Sequence, residues 1–326
     1  LNPNVWDQIA SEEAPSGTVV RRVLPELVHD VFVGEQRPTR ERVLHIDIAD
    51  SLRTVPPKQS SRGLNVAVES KGSGTTSFWL SAASNSDNAL FSDFAADVID
   101  VLANDPGPGA ATRVLERVTA WQAFFAQRPE SFGPERAAGL FAELVVLRDH
   151  VLPALGPVAA MAAWSGPDPA IQDFQHSEIA LEVKSFRGTG PGYLTISSER
   201  QLETVGVKAL FVAYLRIDQR REGTGLTLAD TVGTILTEIA ASSAAIAAFE
   251  AKLLQYGWHH SYSDFRYERH EIRSDEVFIV DYTFPRIVST SLPNGVGNVS
   301  YRVDRSAIES FRVRWDEVSK RLLGED

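Results

Sequence analysis

The 326-residue chain has no cysteine, no uncharged apolar run of eighteen residues, and little positive charge. Without cysteine there can be no disulfide and no thiolate metal site, so a metal would have to be held by Asp, Glu or the seven His, mainly through oxygen. The missing apolar run leaves no candidate membrane span. The opening LNPNVWDQIASEE has neither the basic nor the apolar region of a secretory leader, so a cytoplasmic chain with no membrane partner is expected. Lys and Arg number 32 against 43 Asp and Glu, a formal charge of −11. Tight nucleic-acid binding rests on phosphate neutralisation and leaves a basic footprint, so this balance argues against a chain that grips nucleic acid alone. Two strips, Arg216 to Arg221 and Arg266 to Arg273, are candidates for a local exception, although solvated strand edges or loops are the plainer reading of both. A partner subunit that supplies the grip is the other solution.

A hydrophobic content of 43% over this length supports one large domain or two modest ones. Residues 1–85 read as a β-rich unit: VLHIDI at 43–48, LNVAVES at 64–70 and SFWLSAA at 77–83 are β-prone runs separated by Pro, Gly and Ser. Residues 86–130 read as a helical connector. Its first helix carries Ala89, Leu90, Phe91, Phe94, Val98, Ile99 and Leu102, and its second, from Ala110 to about Gln127, carries Val114, Leu115, Val118, Trp121 and Phe125 on its buried face. Residues 131–326 form the third part. Ser131 and Pro134 ahead of Glu135 start a helix that is expected to run to Pro153, with Glu143 at the border of its apolar face. Short strands follow at 171–175, 178–186 and 192–197, then a short helix at 198–205 and a nearly continuous apolar strand at 208–217. The expected fold is α/β, with an α-β-β-β-α-β order on a mixed sheet. Further helices are expected at 227–240 and 243–256, strands at 264–273 and 276–284, and an amphipathic helix at the end. No internal repeat or low-complexity tract is present.

The residues that point to chemistry are Glu182-Val183-Lys184. Alternation along a strand puts Glu182 and Lys184 on one face and Val183 on the other, so one strand presents a carboxylate beside an ammonium. Phosphodiester hydrolysis needs a divalent ion to stabilise charge on phosphate and to acidify a water, and a nearby lysine can orient that water. Mg²⁺ takes oxygen ligands and keeps several waters, so two or three carboxylates with a backbone carbonyl, such as that of Val183, suffice. Asp173 on the preceding strand can supply the second carboxylate if a turn near His176 to Glu178 pairs the two strands. Asp168, between Pro167 and Pro169, is the rival, although its two prolines suit a loop better.

Gly139-Leu-Phe-Ala-Glu143, Asp173-Phe174, Glu182-Val-Lys184 and the segment around Gln201 together resemble the PD-(D/E)XK nuclease superfamily over roughly residues 133–217. More narrowly, the chain resembles a bacterial group assigned to that superfamily whose genes often lie beside DNA methyltransferases and helicase-like ATPases. The resemblance implies a restriction-endonuclease-like core and a Mg²⁺-dependent endonuclease subunit, with Mn²⁺ able to substitute, that cuts double-stranded DNA in restriction or phage defence. It implies Asp173 and Glu182 as direct metal ligands, Glu143 as the helix-borne acid, Lys184 as the lysine of the motif and Gln201 as a polar group facing the site. It also implies protein partners of the methyltransferase or helicase-like kind and is compatible with a homodimer. A silent DNA-binding scaffold and a metal-independent interaction module are the alternatives.

Other features have simpler explanations. His176, His259, His260 and His270 match no common ligand spacing. The loop Gly188 to Gly192 lies between strands rather than before a helix and lacks the P-loop lysine, so it reads as a hairpin loop. Tyr262, Phe265, Tyr267 and Tyr282 can stack bases if they face nucleic acid, yet such residues more often pack a sheet.

Overall fold

The computed structural model describes residues 4–60, 63–72, 74–83, 87–126, 132–166, 171–220, 224–259 and 268–325. The chain is mixed α/β with several sheets and divides into two compact units. One is Leu1–Ser131 with Gly257–Tyr262; the other is Phe132–Tyr256 with Ser263–Asp326.

The first unit opens with helix α1 (Val5–Ala10) and continues into strands β1 (Gly17–Val23), β2 (Asp30–Arg37), β3 (Glu41–Ile48), β4 (Gln59–Ser60), β5 (Leu64–Lys71) and β6 (Thr75–Ala82). They form an antiparallel sheet in the order β1-β2-β3-β6-β5-β4. Alternation buries Leu44, Ile46 and Ile48 of β3 and Phe78 and Leu80 of β6. Helices α2 (Asn88–Asn104) and α3 (Ala110–Ala126) belong to this unit. Asp87 caps α2 by accepting from the Ala89 amide at 2.8 Å. On their apolar faces Phe94 meets Trp121 edge-on at 5.7 Å, and Asp97 accepts hydrogen bonds from Arg117 and from the Trp121 indole. An aromatic pair and a partly buried charged hydrogen bond thus join the two helices.

The second unit starts with α4 (Pro134–Val146), where proline occupies the first turn and Glu135 complements the helix N-terminus. The helix does not stop at Pro153. A π-turn at Leu147–Val151 inserts an extra residue, so Pro153 falls in the first turn of α5 (Leu152–Leu155), where a missing N–H costs little. Helix α6 (Pro157–Ala163) follows. Strand β7 (Phe174–His176) and strand β8 (Ile179–Phe186) form an antiparallel pair closed by Ser177 and Glu178, both at positive φ, as a two-residue turn requires.

Strand β9 (Tyr193–Ile196) leaves this sheet and pairs instead with β13 (Tyr301–Asp304). Strand β10 (Ala209–Arg220) runs parallel to β8 and is apolar along most of its length because both its faces are covered. Beyond it lie β11 (Leu226–Thr227), α7 (Leu228–Glu238), α8 (Ser243–Tyr256), β12 (Arg269–Ile279), β14 (Arg312–Val313) and α9 (Trp315–Leu322). The sheet order β11-β12-β10-β8-β7 mixes parallel and antiparallel neighbours.

Three local expectations are corrected. Residues 198–205 form turns rather than a helix, because the Gln201 side chain accepts from the Ser197 amide and Ser198 Oγ accepts from the Arg200 amide. Side-chain bonds of this kind compete with helical ones. With β9 in another sheet as well, the expected α-β-β-β-α-β order is not reproduced. Of the two strands expected at 264–273 and 276–284, residues 264–267 lie outside the described residues, and the described part contains a single strand, β12, which absorbs an extra residue as a bulge opposite Arg216 and Ile217.

Candidate metal and catalytic site

The β7–β8 register builds the site. Phe174 pairs with Leu181, so Asp173 falls one step beyond the last pair, opposite Glu182. Its Oδ2 accepts the Val183 amide at 2.6 Å, which ties the carboxylate to the edge of β8 where β7 ends. Glu182 and Lys184 share the face of β8 whose parallel partners on β10 are Val212 and Tyr214. Lys184 Nζ donates to Glu182 Oε1 at 2.5 Å and to Gln201 Oε1 at 3.0 Å. Gln201 therefore joins the group from a turn, and it holds the lysine. The Val183 side chain packs on the opposite face, beside Ala213.

Glu143 of α4 is buried, 7% exposed, rather than bordering an apolar face. Its two oxygens accept from Trp164 Nε1 at 2.9 Å and from Tyr256 Oη at 2.8 Å. Sequence reasoning missed both donors. They lie 21 and 113 residues away along the chain, and no local pattern marks them.

Three carboxylates within electrostatic reach of one another perturb their protonation. Burial, then the nearby Asp173, pushes Glu182 up to about 8 against the pull of Lys184. Burial followed by Asp173 raises Glu143 well above the carboxylate range, and burial raises Asp173 against the opposing effect of Lys184 and the Val183 amide. Burial with the Glu143 charge pushes the Tyr256 hydroxyl up.

A divalent cation fits this donor set. Glu182 is 1% exposed, and its Oε2 has no hydrogen-bond partner among the described residues. A buried carboxylate oxygen left in that state is costly unless a cation or proton occupies it. The same residues do not form a closed cage, because no three Asp, Glu or His among the described residues meet at metal-ligand spacing. An ion that keeps several waters does not need one.

The described arginines of the basic strips are all engaged within the chain. Arg273 pairs with Asp218 at 2.8 Å and with Glu271, Arg220 with Asp218, and Arg269 with Asp230. Arg216 donates to the Gly188 and Gly190 carbonyls, so that loop is tied down through its acceptors. Of the aromatics considered for stacking, Tyr282 is 91% exposed, whereas Tyr262, Phe265 and Tyr267 lie outside the described residues, as do Asp168, His260, Arg221 and Arg266. His270 is buried and stacked on Phe141 at 4.4 Å. No helix among the described residues is long and apolar enough to cross a membrane.

A family model described as "Putative PD-(D/E)XK family member, (DUF4420)" matches residues 2–306. No curated protein and no solved structure matches the chain. The model spans both units, including all the acidic residues above and the Lys184–Gln201 pair, and the chain therefore belongs to the DUF4420 family of the PD-(D/E)XK type.

Proposed function

We propose that this chain is a Mg²⁺-dependent endonuclease subunit that hydrolyses phosphodiester bonds of double-stranded DNA. The observation that carries the reading is the unpartnered, buried Oε2 of Glu182 beside Asp173, with Lys184 on the same strand face. Asp173 and Glu182 would hold the ion with help from the Val183 carbonyl, and Glu143 would complete the acidic side. When bound, Mg²⁺ supplies charge stabilisation at the scissile phosphate and acidifies a water. Lys184 would orient the attacking water, and Gln201 fixes the lysine through the bond at 3.0 Å. The charge of −11 and the self-paired arginines support a partner that supplies most of the DNA grip, of the methyltransferase or helicase-like ATPase kind. A cytoplasmic role in restriction or phage defence, also as a homodimer, suits such a subunit.

A second reading is favoured by the open donor set: a silent scaffold of the same fold that binds DNA or a partner without cutting. Cleavage of duplex DNA in Mg²⁺ or Mn²⁺ by the chain with its partners separates the two. The nuclease reading requires loss of cutting in Lys184→Ala and Asp173→Ala. Equal cutting by these variants sinks it, and DNA affinity without cutting in the wild type supports the scaffold.

A further inference from the structure

Glu143 is held differently from the other acids. Glu182 has a lysine partner, whereas both oxygens of Glu143 are met by neutral donors, the Trp164 indole and the Tyr256 hydroxyl. Neutral donors fix a carboxylate without cancelling its charge, so the remaining lone pairs stay available to a cation or its water. Both donors trace to one face of α8. Phe249, Lys252 and Tyr256 recur at spacings of three and four, which aligns them on a helix. Phe249 packs on the Trp164 ring at 5.8 Å, and Lys252 Nζ donates to the Met161 carbonyl at 2.9 Å and to the Trp164 carbonyl. Tyr256 then reaches Glu143 directly, under the Arg136 guanidinium 5.2 Å from its ring centre.

We propose that α8 is a positioning element of the metal site: Tyr256 directly, and Phe249 and Lys252 by way of Trp164, set the Glu143 carboxylate for the cation. The inference rests on the metal-binding reading above. It makes Tyr256 and Trp164 positioning residues rather than packing residues.

The test is Mn²⁺ affinity of the full chain by electron paramagnetic resonance, with thermal melting as the fold control. Tyr256→Phe and Trp164→Phe should each weaken Mn²⁺ binding about tenfold, the scale of outer ligand-supporting contacts. Tyr256→Phe should add no further loss in a Glu143→Gln background, which a purely structural role would not produce. Wild-type affinity in both single variants, or an equal extra loss from Tyr256→Phe in the Glu143→Gln background, overturns the proposal. If Tyr256→Phe does not fold, Trp164→Phe, alone and with Glu143→Gln, decides by the same criteria. A wild type that takes up no Mn²⁺ overturns the metal reading and this inference together. Loss of Mn²⁺ in Glu182→Gln with full affinity in both Tyr256→Phe and Trp164→Phe overturns this inference alone.

Discussion

Lys184 bonds one oxygen of Glu182 at 2.5 Å and leaves the other, equally buried, without a partner. The pair is thus half-satisfied, a costly state in a dry interior. Lys184→Met should leave the fold intact at neutral pH, because Glu182 can take up a proton. It should lower the cleavage rate roughly 10²- to 10⁴-fold, the usual contribution of a positioned proton-handling group. Single-turnover cleavage of duplex DNA measures this, and a loss under tenfold would remove Lys184 from the chemistry.

The protonation of Glu182 has a stability consequence whose direction is fixed. Its folded value, about 8, lies above the ordinary 4.5, so between these values the folded chain binds a proton that the unfolded chain lacks. Stability from this group is fully present below the lower value and is lost as pH rises through the upper one, at up to about 1.4 kcal/mol per pH unit. In metal-free solution, Glu182→Gln should therefore gain on the wild type progressively from pH 5 to pH 8. Thermal melts with chelator follow the difference, and parallel curves across that range would refute it.

His270 titrates with the opposite slope. Burial against Phe141 holds it down to about 4 from 6.5, so below 6.5 the unfolded chain binds a proton that the folded one refuses. Stability is complete above 6.5 and is lost as pH falls towards 4. His270→Leu should flatten the acid limb of the urea midpoint against pH. An unchanged limb would show that the ring is charged or solvated when folded.

Gln201 gives its side-chain oxygen to both Ser197 N–H and Lys184. Gln201→Ala should slow cleavage on the order of tenfold by loosening Lys184, with duplex affinity unchanged. A fall in DNA affinity with an unchanged rate would place Gln201 on the substrate instead.

Charge removal on β12 should matter little to DNA binding. Arg273 and Arg269 already face Asp218 and Asp230, so each substitution frees an acid as it removes a base. Arg273→Ala is expected to leave the salt dependence of duplex binding, measured by fluorescence anisotropy, within about one phosphate contact of the wild type. A larger drop would mean that the arginine leaves its carboxylate to meet phosphate.

What could be read from the sequence was local. Period-two alternation put Glu182 and Lys184 together, and a two-residue turn at Ser177 and Glu178 brought Asp173 opposite Glu182. The donors to Glu143 could not be read, because Trp164 and Tyr256 reach it from α6's end and α8 through tertiary packing alone. The segment 198–205 has a helix-like composition, yet Ser198 and Gln201 spend their side chains on nearby backbone amides, and such competition leaves no periodic trace. The bulge in β12 and the π-turn before Pro153 each hide one extra residue, which shifted the expected element boundaries. Basic strips looked available because their acidic partners come from neighbouring strands and from α7.

Calorimetric titration of Mn²⁺ into the full-length chain, as wild type, Asp173→Asn and Glu182→Gln, addresses the metal site most directly. Saturable uptake by the wild type that disappears in both variants is expected. A wild type that takes up no ion, or variants that bind as tightly as the wild type, would show that Asp173 and Glu182 do not form a metal site.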